Sequence, residues 1–161
     1  MPHIHEKIDF TASVFVVNGD AVLLHKHAKR GKWLQVGGHI ELDEDPNEAV
    51  LREAKEESGL DVVLMGEATK IPDTTGSFRN LVLPQFLNRH VADETTGHEH
   101  VDFVYFGTSK TRTLNPRPEE SSKELRWFTE SDLDDPQYGL WASTLYYAKA
   151  ALTAAEKEPP R

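Results

Sequence analysis

Phe10 to Val17 is a β-rich run, and Asn18-Gly19 interrupts it before a second run from Ala21 to His25. Asn-Gly between two such runs is a strong hairpin signal, because the tight turn needs positive φ at both central residues. The chain is therefore expected to open with a hairpin. Trp33, Leu34, Gln35 and Val36 then lead to the paired glycines Gly37 and Gly38. From Asp45 the pattern becomes helical: Asp45 can cap, Pro46 suits the first helical position, and Glu48 can reach back. Gly59 supplies the stop. At about 100° per residue, Arg52, Glu53, Glu56 and Glu57 share one arc, and Val50, Leu51 and Ala54 share the opposite one. One face should be acidic and the other buried. Asp61 to Met65 reads as a strand and Ile71 to Asn80 as a loop. Leu81 to Val91 and His100 to Phe106 read as a second long hairpin around Asp93 to Gly97, with Pro84 marking an edge or bulge. Thr108 to Ser122 is polar and irregular, and Glu124 to Phe128 is a last short strand. Gly139 to Ala155 is an alanine-rich helix with Leu140, Trp141, Thr144, Leu145, Ala148 and Leu152 on its packing side. The final EKEPPR is expected to fray.

Strands flanked by two well-separated helices suggest a mixed sheet between helices. The length, 161 residues, suits one domain, with a core over about 8–155. No apolar run approaches the length that spans a bilayer. The chain has no cysteine, so disulfides, thiolate catalysis and cysteine zinc sites are excluded. MPHIHEKIDF has no apolar signal core, and a cytoplasmic location is the expectation. Net charge is −9, which argues against a broad nucleic-acid surface. Free nucleotides stay open as partners, because a bound cation inverts the local sign.

Carboxylates at i, i+3 and i+4 repel one another, each like-charged pair costing roughly 0.2–0.5 kcal/mol. Arg52 can pair with Glu56 one turn on, yet one guanidinium cannot neutralise Glu44, Glu53, Glu56 and Glu57. A hard divalent cation can, and Mg2+ takes oxygen ligands together with substrate phosphates. The alternative is a solvated acidic helix face.

Gly38, Glu44, Arg52, Glu53, Ala54, Glu56, Glu57, Gly59 and Leu60 fall on every position of G-x5-E-x7-REUxEExGU, with U apolar. The stretch Gly38 to Leu60 thus resembles the Nudix box, the signature of the Nudix hydrolase family. Family-like features run from about Phe10 to about Leu133, since the lead-in from Trp33 to the glycines and Leu125 to Phe128 are also similar. Val36 stands where many relatives have proline, and Ala54 is a small member of its class. The resemblance implies an α/β/α sandwich whose catalytic motif is a loop, a helix and a loop. It implies Mg2+-dependent hydrolysis, with Mn2+ as the alternative ion, of a nucleoside diphosphate linked to X by attack of water on phosphorus. Carried over, Glu53, Glu56, Glu57 and the carbonyl of Gly37 are metal ligands, Arg52 orients the carboxylates, and Glu44 supports the loop. The general base is a box glutamate or a later acid. Glu120 and Glu119 come first, with a solvated surface pair as the alternative, and Glu99 and Asp102 stand behind them.

Other residues carry two readings each. His39 either touches a phosphate or is a surface histidine. His25, Lys26, His27, Lys29, Arg30 and Lys32 form a basic loop, phosphate-facing or solvated. Trp33 is read as core rather than as a base-stacking ring; Phe78 and Arg79 are the preferred base and phosphate contacts. His98 and His100 share a strand face, but two histidines at i, i+2 do not make a zinc site without two or three more ligands. They are read as a neutral pair on a half-exposed strand, and His25 and His27 as part of the basic loop. The expected substrate is a small nucleotide, a nucleoside triphosphate or a nucleotide sugar such as ADP-ribose, rather than capped RNA. A non-catalytic nucleotide sensor of the same fold is the competing reading; an isopentenyl-type isomerase is set aside for want of a cysteine. A homodimer is compatible with the sequence.

Overall fold

The computed structural model describes residues 5–120 and 124–158. Strand β1 (Ile8–Asn18) is its centre, because its alternate side chains feed two cores. Ala12, Val14 and Val16 pack with Val36, Leu60 and Tyr105 against Ala49, Val50 and Ala54 of helix α1 (Pro46–Ser58). Phe15 and Val17 face the other way, onto Trp33, Phe128, Leu133, Ala148 and Ala151. The last two belong to the C-terminal helix, which covers that second face. The fold is therefore a sheet between helices, the α/β/α sandwich expected.

The first hairpin forms, but its two-residue turn is Gly19-Asp20 rather than Asn18-Gly19, since Asn18 is still paired in the strand. β2 (Ala21–Lys26) pairs antiparallel with β1 from Val16↔Leu23 to Asn18↔Ala21, and Gly19 supplies φ 60° in the turn. β3 (Trp33–Leu34) pairs with the far end of β2. β4 (Val36–His39) pairs antiparallel with β1 through Thr11↔His39 and Ser13↔Gly37. β5 (Val62–Leu64) and β6 (Phe86–Asp93) run antiparallel to β7 (His98–Ser109), and β7 runs parallel to β1 from Ile8↔Glu99 to Val17↔Thr108. β8 (Glu124–Thr129) closes against β2. The sheet is mixed, and the parallel pairing of β1 with β7 joins residues 91 positions apart.

Helix α1 begins and ends as read. The Asp45 carboxylate accepts the amides of Asn47 and Glu48 at 2.8 and 3.0 Å, and Glu48 accepts the amide of Asp45 at 3.0 Å. Gly59 closes the helix at φ 78°. A Cβ there would lie 2.2 Å from the carbonyl oxygen of Asn115, so the stop is also the crossing point of a later segment.

Several expectations need correction. Leu51, placed on the buried arc, is 38% exposed. Leu81 to Gln85 is not in the ladder: β6 starts at Phe86, and Val82 makes only an isolated bridge with Ala68. Pro84 has no amide to donate there. The last helix, α3, spans Ala142–Lys157 rather than starting at Gly139. Gly139, at φ 55°, ends a 3-10 turn over Pro136–Tyr138, while Leu140 still packs on the core and Trp141 caps the helix half-exposed. Glu156 and Lys157, assigned to the fraying tail, are helical, and residues 159–161 lie outside the described residues. A short helix between β8 and α3, α2 (Glu130–Asp134), has no counterpart in the sequence reading; Thr129 and Asp132 cap each other there. Thr108 and Ser109 belong to β7, Pro118–Glu120 forms a 3-10 turn, and Ser121 and Ser122 lie outside the described residues. Among the described residues no helix is long and apolar enough to cross a membrane.

Candidate active site

Two glycines without side chains bring the acidic face of α1 against β4. At Gly38 a Cβ would sit 2.4 Å from Oε1 of Glu53, so the absent side chain makes room for that carboxylate. At Gly37, with φ 151°, a Cβ would meet the Ala12 carbonyl oxygen at 2.5 Å. Its amide instead donates to Oε2 of Glu57 at 2.9 Å. Glu53 and Glu57 are consequently buried, at 8% and 4% exposure, although they lie on the helix face read as acidic. Burial pushes the Glu53 carboxyl up from its ordinary value, and Arg52 opposes that shift.

Arg52 uses all five of its donors. Nε and Nη2 grip Glu44 at 2.5 and 2.9 Å, Nη1 serves Glu53 at 2.8 Å and Glu56 at 3.3 Å, and Nη2 also donates to the His39 carbonyl at 3.1 Å. Arg117 adds a second cation, 2.7 Å from Glu56. Four carboxylates against two guanidiniums leave a formal excess of two negative charges, the charge of one divalent cation. An all-oxygen donor set of this kind fits Mg2+ or Mn2+. Glu53, Glu56, Glu57 and the Gly37 carbonyl are the groups that could hold it.

Glu44 is held well below the usual carboxylate range by its hydrogen bond to Arg52. A depressed folded value contributes stability that is present above the ordinary 4.5 and lost as pH falls through the folded value. In urea unfolding at a series of acid pH values, Glu44→Gln should therefore show a shallower loss of stability below that point than the parent. Equal slopes would place the acid sensitivity elsewhere.

The acids open onto a cavity of about 540 Å³. Strand register builds its floor: Thr11 and Ser13 of β1, His39 of β4, His100 and Asp102 of β7 and His90 of β6 all line it. His27, Lys29 and Arg30 from the basic loop line it as well. A second cavity of about 700 Å³ shares Arg30, Leu34, Gln35, His90 and Asp102 with the first and adds Trp141 and Tyr147.

Glu120 lines the first cavity; its neighbour Glu119 is exposed and does not. Asp102 is buried, accepts the hydroxyls of Thr11 at 2.9 Å and Ser13 at 2.7 Å, and is pushed up by that burial. Glu99 pairs instead with Arg89 on the exposed side. His39 lines the cavity and is not a surface histidine. Arg79 is taken up by Asp45 and Glu48 at the start of α1, and neither it nor exposed Phe78 lines the cavity. Lys32 is also displaced, donating to the Gly139 carbonyl at 2.9 Å. Lys26 pairs with Glu124, and Trp33 is buried against Phe128 in the core. Arg117, Gln35, Thr11 and Ser13 were missed. Polar residues at every second position of β1, alternating with Phe10, Ala12 and Val14, were the available signal for the last two.

The family model of the NUDIX domain matches residues 7–148. A hydrolase of the NUDIX family from Clostridium perfringens has a similar structure, with a TM-score of 0.82 and 38% identity, covering 91% of this chain and 97% of its own. A MutT NUDIX hydrolase from Burkholderia pseudomallei shares the fold at TM-score 0.59 and 23% identity, covering 92% of this chain and 98% of its own. The ORF135 protein of E. coli does so at TM-score 0.56 and 21% identity, covering 95% and 96%. No protein of curated function matches the chain. A complete box, a sandwich that buries its apolar face and a match over most of the length agree: the chain is an enzyme of the Nudix hydrolase family.

Proposed function

We propose that the protein hydrolyses a pyrophosphate bond in a small nucleotide, a nucleoside triphosphate or a nucleotide sugar such as ADP-ribose, with Mg2+ or Mn2+ as cofactor. The observation that carries this reading is a carboxylate cluster left two negative charges in excess, on a cavity that Lys29 and Arg30 also line. Glu53, Glu56, Glu57 and the Gly37 carbonyl would hold the ion, which would supply charge neutralisation to the phosphates.

The chain's own residues do the rest. Lys29 and Arg30 bind phosphate oxygens from the loop side. Arg52, with every donor committed, keeps the carboxylates in place rather than touching substrate. Glu120 is the proposed base at the cavity's edge and accepts the proton of the attacking water. The new bond joins the water oxygen to phosphorus, and the bridging P–O bond breaks with its electron pair leaving on the departing phosphate. The nucleoside or the X group extends into the second cavity, where the Trp141 ring lies under the Arg30 guanidinium at 5.6 Å.

The test is a panel of NTPs, dNTPs, ADP-ribose, NADH, dinucleoside polyphosphates and capped RNA with Mg2+, run on the parent and on Trp141→Ala. The reading expects turnover of a small nucleotide and a KM raised roughly tenfold in the variant, since base–aromatic stacking is worth about 1–3 kcal/mol. A kinetic preference for capped RNA would overturn the substrate class. Binding without turnover across the panel would favour the sensor reading.

A further inference from the structure

We propose that Asp9, His98 and His100, with His39 as fourth donor, form a second metal site of zinc-type chemistry, distinct from the carboxylate cluster of α1. The parallel pairing of β1 and β7 sets Asp9 directly opposite His100, and His98 lies two residues along on the same face. One ligand atom from each of Asp9, His98 and His100 lies within 4.8 Å of the others. Oδ2 of Asp9 is 3.2 Å from Nε2 of His98 and 3.2 Å from Nε2 of His39. A tetrahedral zinc ion with bonds of about 2.0–2.1 Å holds its ligand atoms about 3.3 Å apart, so these separations match the edge of such a site. The His39 ring stands 4.9 Å from that of His100, which brings the fourth donor alongside.

The outer partners point the same way. Nδ1 of His98 lies 3.2 Å from the carbonyl oxygen of Glu6, so the other ring nitrogen, Nε2, is the one that faces Asp9. Nε2 of His98 and Oδ2 of Asp9 thus place two candidate ligand atoms 3.2 Å apart on groups only 2% and 1% exposed. Oδ1 of Asp9 accepts the His5 amide at 2.7 Å. A histidine donating its second nitrogen to a carbonyl, beside a carboxylate that is itself hydrogen-bonded, is the usual outer shell of a bound metal. Three imidazoles and one carboxylate suit Zn2+ rather than Mg2+, which prefers oxygen. The site lies in the cavity wall, since His39 and His100 also line the cavity that the α1 glutamates face.

The test uses cobalt as a coloured stand-in for zinc. Titrating the full chain with Co2+ in excess Mg2+ should give one equivalent with the intense visible absorption of a tetrahedral nitrogen-ligated ion. Glu56→Gln should keep that band. His100→Gln should weaken binding by at least about 100-fold, above the roughly 10–100-fold that loss of an outer partner costs. Because a variant of a core strand can misfold, the parent is also examined by 15N NMR of its imidazoles, where Zn2+ should shift ring nitrogens of His39, His98 and His100. An absent band with unshifted imidazoles would overturn the proposal and leave a proton shared between His98 and Asp9. A band lost in Glu56→Gln but kept in His100→Gln would overturn it in favour of the carboxylates.

Discussion

Glutamine in place of Glu57 or Glu56 is expected to lower hydrolysis by roughly 10²–10³-fold, the usual cost of removing one electrostatic stabiliser from a transition state. Glu57→Gln is the cleaner variant. Its amide oxygen can still accept from Gly37, so the contact between α1 and β4 persists while the charge is lost. Glu56→Gln also loosens Arg117, whose guanidinium lies 2.7 Å from the carboxylate. Initial rates over a series of Mg2+ concentrations, with circular dichroism and urea unfolding as controls, check both. A rate within threefold of the parent, or full parent activity in excess chelator, would sink the assignment of the metal ligands. Glu120→Gln separates the roles, because loss of a base should reduce rate with Mg2+ dependence nearly unchanged.

Arg52→Ala should cost about 3 kcal/mol of stability, the lower end of the roughly 3–5 kcal/mol seen when one partner of a buried ion pair is removed. The lower end applies because the Arg52 side chain is 22% exposed and solvent screens part of the loss. Without it Glu44, Glu53 and Glu56 lose their shared cation, while Arg117 still pairs with Glu56. Millimolar Mg2+ should then restore stability more in the variant than in the parent, because the ion and the guanidinium answer the same excess charge. Urea unfolding with and without Mg2+ measures both quantities. A loss under about 1 kcal/mol, the scale of exposed pairs, would show that Arg52 is a surface ornament. Arg52→Lys should recover little, since an ammonium has three donors and no planar fork.

Local signals carried what was legible in the sequence. Asn18-Gly19 announced its hairpin, Asp45, Pro46 and Glu48 announced the start of α1, and Gly59 its end; all are decided within a few residues of chain. The acidic arc was also local. Contacts that depend on long-range register were not legible. Nothing near Asp9 says that β7 will lie beside it in parallel, and so neither its meeting with His98 and His100 nor that of Asp102 with Thr11 and Ser13 could be read. Arg79 was misplaced for a similar reason. A loop arginine looks like a phosphate contact until the capping acids of α1 are found within its reach. Leu81 to Gln85 has strand composition yet joins β7 only at its end, where the Gln85 amide donates to the Val104 carbonyl and its side chain accepts the Phe106 amide, both at 2.9 Å.

The two glycines ahead of α1 look interchangeable in sequence and differ in what a second mutation could repair. An alanine at Gly38 would press on Oε1 and Cδ of Glu53, the end of a side chain, and shortening that residue to aspartate would withdraw the obstacle by one methylene. An alanine at Gly37 would press on the Ala12 carbonyl and the Ser13 Cα, atoms every amino acid possesses. A second substitution at one distant position can therefore relieve the first clash, at the expense of moving a carboxylate proposed to hold the metal. For the second no side-chain replacement in β1 clears the way, and drift through that position is closed from both sides.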